Sequence, residues 1–137
     1  MTTVFLTHTP DMLANYYGER ALAALRKLAA VKFNETGKVL DDPRALAEAA
    51  RGCAIIVSDR QTPGPAAFFP LAPDLVAFLR VAVDIRNIDV AAASAQGILV
   101  THATMENSVR KAVDAIKAES YLVGEPQVIR IERPKDM

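Results

Sequence analysis

The chain has 137 residues, 51% of them hydrophobic, and its 16 basic and 16 acidic residues balance at pH 7. This length suits one domain with a substantial core and is too short for two complete α/β domains. The balanced charge provides no basic surface for nucleic acid or an anionic membrane. The single cysteine, Cys53, excludes an intramolecular disulfide, and the N-terminus has neither a signal-peptide pattern nor a long apolar stretch, so we expect a cytoplasmic protein.

Short apolar runs alternate with helical stretches, and the first half of the chain predicts three strands and two helices. The strands are predicted at Val4–Leu6, Val31–Phe33 and Ala54–Val57, because each run is short and bounded by turn residues. Asp11 is expected to cap the first helix, and Asp42-Pro43 to open a second that runs to Arg51. The inward face of the first helix is predicted to carry Tyr17, Ala21, Ala24, Leu25 and Leu28.

The second half of the chain continues the alternation. A helical region in two pieces, broken near Pro70 and Pro73, is expected before a fourth strand at Leu79–Val83. An Ala-rich helix, Asn87–Gln96, is predicted to end at Gly97, before a fifth strand at Ile98–Thr101.

The C-terminal part is predicted to contain one more helix and a tail. The helix is expected at Asn107–Leu122, and the tail at 128–131 adds an edge strand or lies along the surface. The inward residues of the helix are expected to be Val109, Ala112, Val113 and Ile116.

This order of elements predicts an α/β fold with parallel strands joined by right-handed crossovers and helices on both faces. Five strands in this rhythm best match a flavodoxin-like three-layer sandwich whose sheet order is 2-1-3-4-5. We expect residues 1–137 to form a single domain of this kind.

Polar residues follow the predicted strands at the edge where open parallel sheets bind ligands. Arg60 and Arg86 could bind a carboxylate there through paired hydrogen bonds, or could be solvated loop residues. His8 and His102 could be acid–base groups, although partly exposed, non-catalytic histidines are favoured, and Asp59 and Asp84 could pair or serve in turns. The predicted edge residues are His8, Thr9, Ser58, Asp59, Arg60, Asp84, Arg86 and His102.

Several common site motifs are absent from the sequence. The six glycines never form G-x-G-x-x-G or a P-loop, so the usual phosphate-binding loops are missing. The sequence also has no Cys/His metal spacing and no nucleophile elbow. The residues alone therefore predict a flavodoxin-like domain with an edge that tolerates anions, and no specific activity.

Two segments resemble the D-isomer-specific 2-hydroxyacid dehydrogenase family, which includes phosphoglycerate dehydrogenase and glyoxylate/hydroxypyruvate reductase. Arg80–Ala93 contains the sequence N-I-D-V at Asn87–Val90 and is followed by G-I-L-V-T at Gly97–Thr101. The segment Ile55–Pro63 is similar, less closely, to a second substrate loop of the family. The resemblance implies a substrate-binding domain.

The resemblance also implies which residues bind substrate. In the family, backbone N–H groups of the loop after the fourth strand bind the substrate carboxylate. The resemblance implies that Val83 and Asp84 provide these groups here, with Arg60 nearby. The family loop reads G-V-G, so Asp84 replaces a glycine and brings a negative charge to an anion site. The family uses NAD or NADP, held by a separate Rossmann domain, and no cofactor is expected in this chain.

In the family, the Rossmann domain is inserted between the fifth strand and a final helix that ends in a turn similar to Gly124-Glu125-Pro126. The resemblance therefore implies that residues 1–104 and 105–137 are two parts of a discontinuous parent domain, joined near Thr104–Met105, and that the protein is engineered. The catalytic histidine, its acidic partner and the substrate-orienting arginine would lie in the missing part.

We accordingly expect no catalytic activity, weak binding of a small 2-hydroxy or 2-oxo carboxylate at most, and a monomer or weak dimer. Two alternatives stay open. One is a small standalone α/β enzyme that uses His8 or His102, and the other is a receiver-like signalling module. The receiver reading ranks last because Thr7-His8-Thr9 stands where an acidic cluster is expected.

Overall fold

The computed structural model describes residues 1–82, 84–101 and 106–118. Within these ranges, the side chains of residues 106–110 and 112 are not described. Its five strands form one parallel sheet in the order β2-β1-β3-β4-β5, which confirms the predicted topology. The strands are β1 (Thr3–Leu6), β2 (Ala30–Phe33), β3 (Ile55–Ser58), β4 (Ala77–Arg80) and β5 (Leu99–Thr101).

Five α-helices and one short 3-10 turn are described. The helices are α1 (Pro10–Tyr16), α2 (Glu19–Leu28), α3 (Pro43–Ala49), α4 (Val90–Ala95) and α5 (Glu106–Lys117). The chain separates into two compact units, residues 1–103 and 104–137, and α5 belongs to the second. The prediction of a single domain over 1–137, joined near residue 104, stays a prediction.

The sheet has an apolar core on each face because successive side chains of a strand point to opposite sides. On one face, Phe5, Ile56 and Phe78 pack with residues of α3, α4 and the 3-10 turn. On the other, Val4 and Leu6 pack with residues of α1 and α2. This arrangement is the predicted three-layer sandwich.

The first predicted helix is wrong in its start and its continuity. Thr9, not Asp11, caps α1: the Thr9 Oγ1 accepts a hydrogen bond from the Met12 backbone N–H at 3.3 Å, and Pro10 occupies the first turn. Extended backbone at Tyr17 and Gly18 then separates α1 from α2. The break changes the helical phase, so Leu22 and Leu25 face the sheet, whereas Ala21, Ala24 and Leu28 are exposed.

The predicted two-piece helical region near Pro70 and Pro73 is also wrong. Only a 3-10 turn, Phe69–Leu71, forms there. The closely spaced prolines lack the N–H groups that a longer helix needs. Phe68 and Phe69 nevertheless anchor this segment in the core, where both rings lie edge-on to Phe78.

Two boundaries near the predicted substrate loop are shifted. Strand β4 runs from Ala77 to Arg80 rather than from Leu79 to Val83, because the chain bends at Val81 and Ala82 after a last hydrogen bond from the Val81 N–H to the Ser58 carbonyl. Helix α4 begins at Val90 rather than Asn87, because the Asp89 side chain caps it by accepting a hydrogen bond from the Ala92 backbone N–H. Gly97, with φ 71°, ends this helix segment as predicted.

The last predicted helix is present as α5, which ends at Lys117 within the described residues, and the part predicted at 119–122 lies outside them. Its side chains at Val109 and Ala112 lie outside the described set, so its packing on the sheet stays a prediction. The predicted edge strand at 128–131 lies outside the described residues.

Candidate functional site

The buried polar side chains gather at the carboxyl edge of the sheet. Each belongs to the end of one of strands β1 to β4 or to the loop that follows it. Burial of a polar group is unfavourable unless it is hydrogen-bonded. Among the described residues this buried polar group comprises Thr7, His8, Thr9, Asn34, Ser58, Asp59, Thr62 and Arg80.

Asp59 organises the loop after β3, which we call the β3 loop (residues 59–64). Its Oδ1 accepts hydrogen bonds from the backbone N–H groups of Gln61 at 2.7 Å and Thr62 at 3.0 Å. Its Oδ2 accepts from the hydroxyls of Thr7 and Thr62. Burial by itself would raise the pKa of Asp59, but these hydrogen bonds outweigh it and hold the pKa below its usual range. Asp59 therefore serves in a turn, the second of its two predicted roles.

Arg80 at the end of β4 is 4% exposed. One terminal nitrogen donates to the carbonyl oxygen of Asp59. The other donates to the carbonyl oxygen of Thr62 at 3.0 Å and to Oδ1 of Asn87. Burial lowers the pKa of this guanidinium, and the charges of Asp59 and Asp84 partly offset the effect. An arginine stays protonated in such a site, so a positive charge is held inside the edge.

The β3 loop is joined to the loop after β4, which we call the β4 loop (residues 81–89). The Gly64 N–H donates to the Asn87 carbonyl at 2.9 Å, and the Asp89 N–H donates to the Gly64 carbonyl at 2.8 Å. This pairing makes a parallel bridge between Gly64 and Ile88. A Cβ at Gly64 would lie 3.2 Å from Cγ2 of Ile88 and 3.4 Å from Phe69, so a larger residue would press against the core.

The sequence N-I-D-V at 87–90 therefore has a structural explanation. Asn87 bonds to Arg80 and its Nδ2 lies 3.4 Å from the carbonyl oxygens of Arg60 and Gln61. Ile88 is buried in the core, and Asp89 caps α4. These three residues fix the end of the β4 loop against the β3 loop.

The two arginines predicted to bind a carboxylate differ in their partners. Arg60 is exposed, and among the described residues its guanidinium makes no ion pair or hydrogen bond. Arg86 instead binds Asp84: its Nε lies 3.0 and 2.9 Å from the two carboxylate oxygens, and a terminal nitrogen lies 2.6 Å from Oδ2. Arg86 is therefore paired with Asp84, an arrangement that neither of its two predicted roles, a carboxylate ligand or a solvated loop residue, included. Val83 lies outside the described residues.

The Asp84–Arg86 pair also affects the charge of the β4 loop. The hydrogen bonds from Arg86 lower the pKa of Asp84 to about 2. Asp84 is thus ionised near neutral pH, with its negative charge adjacent to a cation two residues away. Both side chains are exposed, so solvent screening weakens the interaction.

The two histidines differ in what the structure shows of them. His8 is 2% exposed, which corrects the prediction of a partly exposed residue, because Tyr17 at the end of α1 packs edge-on against its ring at 4.9 Å. Burial lowers the pKa of His8, with a smaller opposing effect from the charge of Asp59. His102 lies outside the described residues.

The residues after β1 do not fit a dinucleotide. A Rossmann domain binds pyrophosphate at the turn between its first strand and helix, where glycines let the backbone approach. Here Thr7 and His8 fill that turn with fully buried side chains, and Thr9 caps the helix with its own hydroxyl. The expectation that this chain holds no cofactor stays a prediction.

Two absences hold for the described part of the chain. No three His, Cys, Asp or Glu side chains lie where they could hold a metal ion. No helix there has the length and hydropathy needed to cross a membrane.

Five residues of this site were not recognised as such from the sequence: Thr7, Asn34, Thr62, Arg80 and Asn87. Arg80 offered a usable signal, because it stands within the apolar run Ala77-Phe78-Leu79-Arg80-Val81-Ala82. A charge inside a strand of a sheet covered on both faces must find hydrogen-bond partners. The threonines offered none, since nothing local shows that positions 7 and 62 meet at Asp59.

Comparison with known proteins agrees with this architecture. A family model for the D-isomer specific 2-hydroxyacid dehydrogenase catalytic domain matches residues 6–113. A search of curated proteins finds no match.

Solved structures share the fold. A putative D-isomer specific 2-hydroxyacid dehydrogenase from Polaromonas sp. JS6 66 aligns over 77% of this chain and 31% of its own, with 24% identity and a TM-score of 0.65. The PH0520 protein of Pyrococcus horikoshii OT3 aligns over 85% and 31%, with 19% identity and a TM-score of 0.62. Apo D-lactate dehydrogenase from Escherichia coli aligns over 85% and 36%, with 15% identity and a TM-score of 0.58.

The chain spans about a third of the length of these structures. The family model, by contrast, covers well over half of the chain. The chain therefore belongs to the D-isomer specific 2-hydroxyacid dehydrogenase family, and its matched residues correspond to the catalytic domain of that family.

Proposed function

We propose that this chain is a substrate-binding domain that holds the carboxylate of a small 2-hydroxy or 2-oxo acid and does not transfer hydride by itself. The observation that carries the proposal is the joined pair of loops at the carboxyl ends of β3 and β4. One of them presents the exposed guanidinium of Arg60, and the other follows β4 where the family resemblance places backbone donors.

Arg60 is the side chain of this edge best suited to an anion. A guanidinium donates two parallel hydrogen bonds to a carboxylate, and such charge-assisted bonds are stronger than neutral ones. The backbone N–H groups of Val83 and Asp84 would supply the remaining donors. The negative charge of Asp84 opposes binding, and its ion pair with Arg86 reduces that opposition.

Hydride transfer requires a bound nicotinamide and a proton donor beside the carbonyl oxygen. The turn after β1 is filled by side chains, and His8 is buried against Tyr17. Asp59 already accepts four hydrogen bonds through its carboxylate. We therefore expect no NADH oxidation with glyoxylate, hydroxypyruvate or pyruvate, and no NAD binding by calorimetry.

Pyruvate titration followed by amide NMR tests the binding part of the proposal. We expect saturable shifts at residues 60 and 84–86 with a millimolar dissociation constant, because an open site buries little of the ligand. Arg60→Met should weaken binding about tenfold, the typical loss of one charge-assisted hydrogen bond. Arg44→Met is the matched control, since Arg44 is exposed on α3 and lines a hollow with residues 71–75 and not with residues of either loop.

Two results would contradict the proposal. Equal pyruvate affinities for Arg60→Met and Arg44→Met would remove Arg60 from the site. Micromolar NAD affinity would contradict the absence of a cofactor site, and turnover of NADH by the purified chain would show that it is an enzyme in its own right.

The resemblance supports a further proposal on origin, namely that the chain is an engineered protein in which 1–104 and 105–137 of a discontinuous domain were joined. The genomic sequence of the source organism tests it. A Rossmann domain encoded between these two segments is the expected result, and an uninterrupted gene for the 137 residues would overturn it.

A further inference from the structure

We propose that Arg80 is a positioning residue for the carboxylate site, an inference that rests on the proposed function. Arg80 would not touch the ligand. It would position Arg60 by holding the β3 loop and the β4 loop together from its buried position at the end of β4.

The hydrogen bonds of Arg80 reach both loops. Two acceptors, the carbonyl oxygens of Asp59 and Thr62, belong to the β3 loop, and the third, Oδ1 of Asn87, belongs to the β4 loop. All three are protein oxygens, and Arg80 is 4% exposed. The guanidinium serves these acceptors from two separate terminal nitrogens, whereas the three N–H donors of a lysine all radiate from one nitrogen.

Asn87 extends this connection to the ligand-binding residue. Its Oδ1 accepts from Arg80, while its Nδ2 lies 3.4 Å from the carbonyl oxygens of Arg60 and Gln61. A single side chain therefore lies between the buried guanidinium and the backbone of Arg60. Displacement of Asn87 would shift the base from which the Arg60 side chain extends.

A purely structural role for Arg80 makes a different prediction. In that case its loss would lower the free energy of unfolding, and the molecules that remain folded would bind carboxylate as before. The positioning role requires a loss of affinity in the folded protein, and that loss must depend on Arg60.

The experiment measures pyruvate affinity by amide NMR in Arg80→Lys, Asn87→Ala and Asn87→Asp, with and without Arg60→Met. Asn87 is exposed, so its variants are expected to fold even if Arg80→Lys does not. Asp42→Ala is the control for stability alone, because it removes the helix cap of α3 and not a residue of the loops.

We expect Asn87→Ala and Arg80→Lys to weaken pyruvate binding about fivefold, because both residues are coupled to Arg60 through the contacts of Asn87. Asn87→Asp keeps an oxygen for Arg80 but loses the Nδ2 donor that faces the carbonyl oxygens of Arg60 and Gln61, so it should weaken binding at least as much as Asn87→Ala. In the Arg60→Met background, Asn87→Ala should cause no further loss, and Asp42→Ala should leave affinity unchanged.

The possible results distinguish the positioning role of Arg80 from the proposed carboxylate binding on which it rests. Wild-type affinity in Asn87→Ala, or an equal loss with and without Arg60, would overturn the positioning role while leaving carboxylate binding in place. Absence of any pyruvate binding by the wild-type chain would instead overturn the proposed function, and the positioning role with it.

Discussion

Arg80 and Asp59 are buried ions that do not form a direct ion pair with each other. Arg80 bonds to backbone carbonyls and an amide, and Asp59 accepts from two hydroxyls and two N–H groups. A buried charge needs hydrogen bonds because its desolvation is unfavourable. Each ion therefore organises the groups around it, and removal of either would leave several polar groups without partners.

His8 predicts a pH dependence of stability. Burial lowers its pKa in the folded state below the 6.5 of an exposed histidine, so the unfolded chain takes up a proton first as the pH falls. The contribution of neutral His8 is present above pH 6.5 and is lost as the pH falls toward the lower folded-state pKa. We expect the free energy of unfolding to fall between pH 7.5 and 5.5 in the wild type.

His8→Gln tests this dependence in urea titrations at the two pH values. The variant should lose much of the decrease. Asp59 does not interfere in this range, because its pKa is lowered from 3.8. Identical pH dependence in the two proteins would show that His8 does not titrate as the structure implies.

At the scale of single residues, the sequence predicted the location of the polar residues at the sheet edge more accurately than their hydrogen-bond and ion-pair partners. Arg60, Asp59 and Asp84 could be assigned to the edge because the carboxyl ends of parallel strands lie together. The engagement of Arg86 by Asp84 was not predicted, because the turn that brings residues two apart into contact depends on the backbone of the loop. Arg80 was missed since its partners come from segments 7 to 21 residues away.

At the level of elements, strands were predicted more accurately than helix limits. Apolar runs identify buried strands directly, and the order of the sheet follows from right-handed crossovers. The break at Tyr17 and Gly18 was missed because the apolar residues on either side fit one continuous helix in the sequence. The start of α3 was predicted correctly, because Asp42-Pro43 combines a side-chain acceptor with a proline in the first turn.

The cap of α3 gives a prediction at this scale. Oδ1 of Asp42 accepts from the Ala45 backbone N–H at 2.8 Å. Asp42→Ala should lower the free energy of unfolding by about 1 kcal/mol, since a helix N–H loses its partner. Asp41→Ala removes the same charge from an exposed neighbour and serves as the control in denaturant titrations. Equal losses in the two variants would assign the effect to charge rather than to capping.

For the whole molecule, we expect a monomer or a weak dimer. The resemblance implies that the family associates largely through its dinucleotide domain, and the balanced net charge leaves some tendency to self-associate. Among the described residues of the elements and their flanks, three large apolar side chains are the most exposed. They are Tyr16 at the end of α1, Leu28 at the end of α2 and Val76 just before β4. Sedimentation over a hundredfold concentration range tests this, and a dimer that persists at the lowest concentration would contradict it.

The bridge between Gly64 and Ile88 has an entropic consequence. Fixing the backbone of a flexible residue costs about 1–2 kcal/mol of conformational entropy, and a ligand that orders a loop must supply this from its own binding energy. Here the bridge and the hydrogen bonds of Asn87 already hold Arg60, Gln61 and Gly64 of the β3 loop against Asn87 and Ile88 of the β4 loop when the sheet folds. A carboxylate arriving at this edge therefore restricts little besides itself and the Arg60 side chain, so even a shallow, wet site can retain measurable affinity.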